Sequence, residues 1–152
     1  VALNTPIAFL GSRPDVDRLL PALDVFTLTS KMEASPVSIL EAAACGIPVV
    51  ATNVGSIGET ILPRQNGYLV PVDDVDAIVA AWRELAADRE HRQAMGKTGR
   101  NQVVQRASLD VMVDGYQELI QRIYDRKCGG TGPIRQSSTN PEMAMPVPEE
   151  VA

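Results

Sequence analysis

The tightest constraint on the fold lies between residues 24 and 52. There Asp24-Val25-Phe26-Thr27-Leu28-Thr29 is followed by Ser35-Pro36, an apolar stretch ending at Gly46, and then Pro48-Val49-Val50-Ala51-Thr52. Ser can accept from the free amides at a helix start, and Pro at the first helical position gives up no hydrogen bond. Gly adopts the left-handed conformation that ends a helix, and a Pro just beyond cannot continue it. The spacing therefore predicts a helix over 36–45 between two runs rich in β-branched residues, which read as strands. Strands joined through a helix have the crossover that parallel pairing needs, so the chain is expected to form an α/β fold with a parallel sheet.

The alternation extends in both directions. Ile7 to Leu10 reads as a strand before Gly11, and Val16, Leu19, Leu20 and Leu23 fall at helical spacing after Asp15, a candidate N-cap. Downstream, Gly55 to Ile61 predicts a short helix and Gly67-Tyr68-Leu69-Val70 a strand. From Asp73 or Asp74 to Ala87 one helical face carries Ile78, Val79, Trp82, Leu85 and Ala86. Arg89 to Arg106 reads as a more polar helix interrupted near Gly96 and Gly99. Ser108 can cap a last helix with the stripe Met112, Tyr116, Leu119, Ile120, Ile123 and Tyr124. These helices are expected to pack on the sheet, with Trp82, Tyr116 and Tyr124 in the core. Residues 1–127 form the expected domain. Residues 128–152, rich in Gly, Pro, Ser and Thr and free of aromatics, are expected to be a disordered tail.

Charge and composition exclude several function classes. Fourteen Lys and Arg against nineteen Asp and Glu give a net charge of −5, which argues against a nucleic-acid-binding surface. No apolar run approaches the roughly 18 residues of a membrane span, and no signal-peptide pattern opens the chain, so a cytoplasmic protein is expected. Cys45 and Cys128 match no metal-ligand spacing, and no metal site is expected.

The residues that suggest chemistry surround the helix expected at 36–45. In an open parallel sheet, ligands gather at the carboxyl ends of the strands, where helix N-termini offer free N–H groups and a positive dipole end to phosphate. Glu33 lies in the loop before the helix, and Glu41 lies about 7–8 Å along the axis from Pro36 at 1.5 Å per residue. Carboxylates beside a phosphate site are better used as acceptors for sugar and ribose hydroxyls.

The run VFTLTSKMEASPVSILEAAACGIPVVATNVGSIGETILPRQNGYLVPVDD resembles the nucleotide-binding half of the family-4 retaining glycosyltransferases of GT-B fold. Their signature of Glu, seven residues, then Glu is matched by Glu33 and Glu41. The phrases AFLGSRPDVDRLLPALDVF and HRQAMGKTGRNQV extend the likeness from about Ile7 to about Tyr124. The resemblance implies a Rossmann-like parallel sheet flanked by helices, the incomplete second domain of a two-domain enzyme whose active site lies in the cleft between the domains. It implies retaining transfer of a sugar from a nucleotide diphosphate to an acceptor hydroxyl, the donor being a UDP-, GDP- or ADP-sugar bound as substrate, with no separate cofactor. By position, Glu33 would lie beside the donor sugar as the catalytic candidate, and Glu41 would bind the ribose hydroxyls. Ala34, Ser35 and the amides of Val37 and Ser38 would line the diphosphate, Gly11 and Ser12 would lie near the base, and Glu59 follows the turn at Gly55 and Ser56. The acceptor, a sugar, lipid or other hydroxyl compound, would be held by the N-terminal domain, and the full-length protein would act in the cytoplasm or at the inner membrane face.

The chain departs from the family pattern at Ala34 and Ser56, where the family has Gly. The start without Met beside a strand-like run predicts a fragment, and the Arg and Lys that grip the diphosphate in the family come from a segment before Ile7 that this chain lacks. Two other functions fit the same residues: a nucleotide-binding module without transferase activity as an isolated chain, and a nucleotide-sugar epimerase of the same fold, which the Glu pair disfavours. Lys31 is a further candidate for phosphate. Arg13 and Arg64 read as surface charges, Cys45 as packing and His91 as an exposed helical residue.

Overall fold

The computed structural model describes residues 7–128. They fall into two compact units divided between Val111 and Met112. In the first unit, α1 (Val16–Leu19) runs into a 3₁₀ turn at Leu20–Ala22, followed by β1 (Phe26–Leu28), α2 (Val37–Ala44), β2 (Val49–Thr52), α3 (Ile57–Thr60), β3 (Gly67–Val70), α4 (Val75–Ala87) and α5 (Arg89–Ala107). The strands pair in parallel in the order β1-β2-β3, with Phe26 opposite Val49 and Val49 opposite Gly67. This is the expected α/β architecture.

The middle strand explains how the core divides. All four residues of β2 are buried, and successive side chains of a strand point to opposite faces. Val49 and Ala51 join Leu20, Ile39, Ala42, Ile47, Ile57 and Ile61 on one side. Val50 joins Tyr68, Val70, Ala81, Leu85 and Met95 on the other. A strand buried on both faces reads as an unbroken apolar run, which is why this one was legible.

The end of α2 forms as the sequence predicts. Gly46 has φ +75°, its N–H donates to Ala43 O at 2.9 Å, and Ile47 N–H donates to Ala42 O at 3.1 Å. This pair of bonds is the Schellman motif, which satisfies carbonyls that a helix end leaves free. The start of α2 differs. Pro36 is the N-cap rather than the first helical residue, and Ser35 provides no cap.

Other expectations are corrected. Ile7 to Leu10 is exposed and forms no strand. Asp15 does not cap α1, because Arg13 holds its carboxylate through two hydrogen bonds of 2.8 and 2.7 Å, which also lowers the carboxyl pKa. The helix after it is shorter than expected, and Pro21, which has no N–H to donate, lies in the 3₁₀ turn that replaces it. In α5 the glycines do not interrupt the helix. A Cβ on Gly96 would strike the carbonyl of Gly46, so Gly96 is where α5 lies directly against the end of α2.

Trp82, expected in the core, is 51% exposed and donates from Nε1 to Thr27 Oγ1 at 2.9 Å. His91 is half-buried rather than exposed, with Nε2 3.3 Å from the Tyr68 hydroxyl. In the buried polar group at Asn66, Oδ1 accepts from Leu62 N–H, while Nδ2 donates to Thr60 O and to Gln102 Oε1.

The second unit begins within α6 (Leu109–Cys128). Val111 N–H approaches Ser108 Oγ at 3.4 Å, in keeping with the expected cap. The stripe from Met112 to Tyr124 was expected to be buried, yet no residue of α6 is buried among the described residues, and Tyr116 and Tyr124 are exposed. Apart from Cys128, the expected tail lies outside the described residues.

Candidate functional site

Parallel strands place the loops after β1, β2 and β3 at one edge of the sheet, and side chains tie those loops together. The buried Thr52 hydroxyl, at the end of β2, donates to Ser30 O at 2.5 Å. Ser56 contacts Ala34 O twice, through N–H at 3.0 Å and Oγ at 2.9 Å. Lys31 Nζ pairs with Asp73 after β3 at 2.7 Å, both side chains being largely exposed. The segment from Ser30 to Pro36 is thus fastened to both neighbouring loops, directly ahead of α2.

No side chain caps the start of α2 among the described residues. The first amides of a helix have no partner within it, so those of Val37 and Ser38 are available to an anion, and the dipole favours one there. Ile39, Ala42 and Ala43 form the buried arc of α2. At 100° per residue, Glu41 lies on the opposite face, one turn after the exposed Val37. Because Cα–Cβ bonds tilt toward the N-terminus, the Glu41 side chain leans back toward the uncapped turn. Glu33 is half-buried in the loop that leads into that turn. Among the described residues, no hydrogen bond or ion pair is formed by the Glu33 or Glu41 carboxylate.

The structure therefore gathers Glu33, Ala34, Ser35, Val37, Ser38 and Glu41 around one helix start. Gly11, with φ +66°, and Ser12 lie in an exposed segment before α1. No hydrogen bond joins them to the loop at 30–36 among the described residues. Glu59 is exposed on α3. Lys31 is engaged by Asp73 rather than standing alone. Thr52, Ser56 and Asp73, which hold the loop, were not singled out as its anchors. Their acceptors are mostly backbone carbonyls far off in sequence, and these leave no local pattern.

A cavity of about 400 Å³ lies at the opposite, amino edge of the sheet, lined by Leu23, Asp24, Gly46, Ile47, Pro48 and Arg92 among others. Its Arg92 guanidinium already donates to Leu85 O and Asp24. Arg89 and Gln93 also line it, but open parallel sheets bind ligands at the carboxyl edge, where α2 starts. Among the described residues, no cluster of three or more His, Cys, Asp or Glu is suited to a metal ion, and no helix is long and apolar enough to cross a membrane.

Comparison with known proteins shows the family to which the fold belongs. Residues 2–102 match the family described as glycosyl transferases group 1. The chain is 33% identical over 113 residues to N-acetyl-alpha-D-glucosaminyl L-malate synthase of Bacillus anthracis, covering 74% of this chain and 30% of that protein. It is 30% identical over 117 residues to the UDP-Gal:alpha-D-GlcNAc-diphosphoundecaprenol alpha-1,3-galactosyltransferase of Escherichia coli, covering 77% and 30%. The chain thus spans about a third of the length of these curated relatives. The Anabaena protein Alr3699/HepE, solved in complex with UDP, superimposes with TM-score 0.72 at 25% identity over 75% of this chain and 32% of its own. The same protein has been solved with UDP-glucose, with TM-score 0.70 and the same identity and coverage.

Proposed function

The chain belongs to the glycosyl transferases group 1 family as a C-terminal domain of GT-B type, and from that premise we propose that it binds a nucleotide-diphosphate sugar at the start of α2 and presents it for retaining transfer to an acceptor hydroxyl. The observation that carries this reading is the uncapped first turn of α2, with Glu41 leaning over it and Glu33 in the loop leading to it.

Each group has a distinct task. The amides of Val37 and Ser38 and the helix dipole stabilise the diphosphate, and they do so more strongly as it departs and gains charge. Glu41 accepts hydrogen bonds from the ribose hydroxyls. Glu33 orients the sugar so that its anomeric carbon faces the acceptor, a contribution of the positioning kind. Ala34 and Ser35 line the diphosphate, Gly11 and Ser12 approach the base, and Glu59 flanks the site. UDP is the favoured nucleotide, because the structural relative at hand binds UDP and UDP-glucose. The acceptor binds to a separate N-terminal domain, so this chain alone binds donor without transferring it.

Calorimetric titration of the chain with UDP, GDP and ADP tests the reading. Saturable binding of UDP is expected, and an absence of heat with all three would overturn it. A full-length protein that bound nucleotide but transferred no sugar from a broad donor panel would leave the second reading, a binding module without transfer chemistry.

A further inference from the structure

The bonds that Ser56 makes are unusual for its position. It is the N-cap residue of α3, where a serine hydroxyl ordinarily accepts from an amide of its own helix, yet it forms no such cap. Its hydroxyl donates instead to Ala34 O, 22 residues away, and its N–H donates to the same oxygen. Gly55 beside it has φ +56°, and a Cβ there would strike the Glu33 carbonyl and come within 2.8 Å of Ala34 O. The turn at 55–56 therefore presses on the peptide that joins Glu33 to Ala34.

We propose that Ser56 and Gly55 form a clamp that positions Glu33 over the start of α2 and thereby sets affinity for the sugar half of the donor, an inference that rests on the nucleotide-sugar reading above. The loop has two fixed points on this side. Thr52 holds the carbonyl of Ser30, and the clamp holds the carbonyl of Ala34. Lys31, Met32 and Glu33 lie between them, with Met32 at 87% exposure contributing almost no packing. Releasing one of the two bonds at Ala34 lets the Glu33 end of the loop move, while Val37, Ser38 and Glu41, which belong to α2, keep their places. Ser56 touches no donor atom in this scheme and acts through Glu33.

The test compares UDP with UDP-glucose by calorimetry on the wild-type chain and on Ser56→Ala, Ser56→Thr and Gly55→Ala. Loss of one hydrogen bond in Ser56→Ala is expected to weaken UDP-glucose about three- to tenfold and UDP, which borders Ala34 but keeps its amides at α2, by clearly less. Ser56→Thr, which keeps the hydroxyl, should restore the wild-type value. Gly55→Ala should weaken UDP-glucose further, since its Cβ displaces the Glu33 carbonyl. Unchanged UDP-glucose affinity in Ser56→Ala, or equal losses for both ligands, would overturn the clamp and leave the nucleotide site standing. A wild-type chain that bound neither ligand would overturn the nucleotide-sugar reading and the clamp with it.

Discussion

Glu41 separates a binding role from a folding role cleanly, because it is exposed and no partner in the described residues depends on it. Glu41→Ala places the best helix former on an exposed face, so thermal stability should hold or rise slightly. If its carboxylate holds the ribose hydroxyls, UDP affinity should fall by on the order of 1–3 kcal/mol. Calorimetry and a melting curve on the same sample check both halves, and unchanged affinity would remove Glu41 from the site. Tyr68 is the opposite case, a buried residue whose hydroxyl lies 3.3 Å from His91 Nε2. Burial first, and the nearby Glu84 carboxylate second, push its pKa up to about 12 from an ordinary 10, against the pull of Arg64. The folded chain then holds this proton more tightly than the unfolded one. The stabilisation is complete below pH 10 and is lost as pH rises toward 12. Urea midpoints between pH 9 and 11.5 should decline less steeply in Tyr68→Phe than in the wild type, and parallel declines would show that the hydroxyl is not the group responsible. At this scale the spacing of Glu33 and Glu41 sets them where the structure has them, one in the loop before α2 and one on its exposed face. The sequence misplaced Trp82 and His91, because helical periodicity identifies a face without showing how deeply that face is covered.

The helices and strands that the sequence predicted best are those whose ends carry backbone chemistry. Gly46 with Pro48 marks the end of α2, Asp74 caps α4 by accepting from Ala77 N–H at 2.8 Å, and Asp88 caps α5 by accepting from His91 N–H at 2.9 Å. Strands carry no such marks and are read from their apolar runs, which succeeds at β2 and fails at one other place. The run at 7–10 has strand-like residues but finds no strand partner among the described residues, and pairing cannot be read from composition. In the sequence the two glycines of α5 read as breaks, because glycine costs a helix about 1 kcal/mol against alanine. Their surroundings show that they differ. Gly96→Ala must displace the Gly46 carbonyl at the contact between α2 and α5, and overpacking of this kind should cost about 1–3 kcal/mol. A Cβ on Gly99 would sit 3.6 Å from Ala43 Cβ and Asn66 Cβ, an ordinary contact. Gly99→Ala should therefore gain helix propensity of up to about 1 kcal/mol at no steric cost. Urea unfolding of the two variants should move in opposite directions, and losses of similar size in both would mean that the α2 contact is not what selects glycine at position 96.

Across the whole molecule, the proposed site draws only on residues between Gly11 and Glu59, with the Lys31–Asp73 pair as its furthest support, and all of these precede Val111, where the first unit ends. That placement survives the overall charge of −5, because α2 offers local amides and a dipole end where a basic surface is lacking. It also makes ligand-linked stability a direct probe of location. A ligand that binds the folded state alone stabilises it by about 2.7 kcal/mol at a hundredfold excess over Kd. At roughly 4–8 °C per kcal/mol for a unit of about 100 residues, UDP should raise the melting temperature by something like 10–20 °C. A chain ending at Val111 retains both halves of the core around β2 and every residue assigned to the donor, so its melting temperature should rise with UDP by the same amount. Loss of the rise on truncation would place part of the binding surface beyond Val111, whereas a rise undiminished in Glu41→Ala at unchanged UDP concentration would place it away from Glu41.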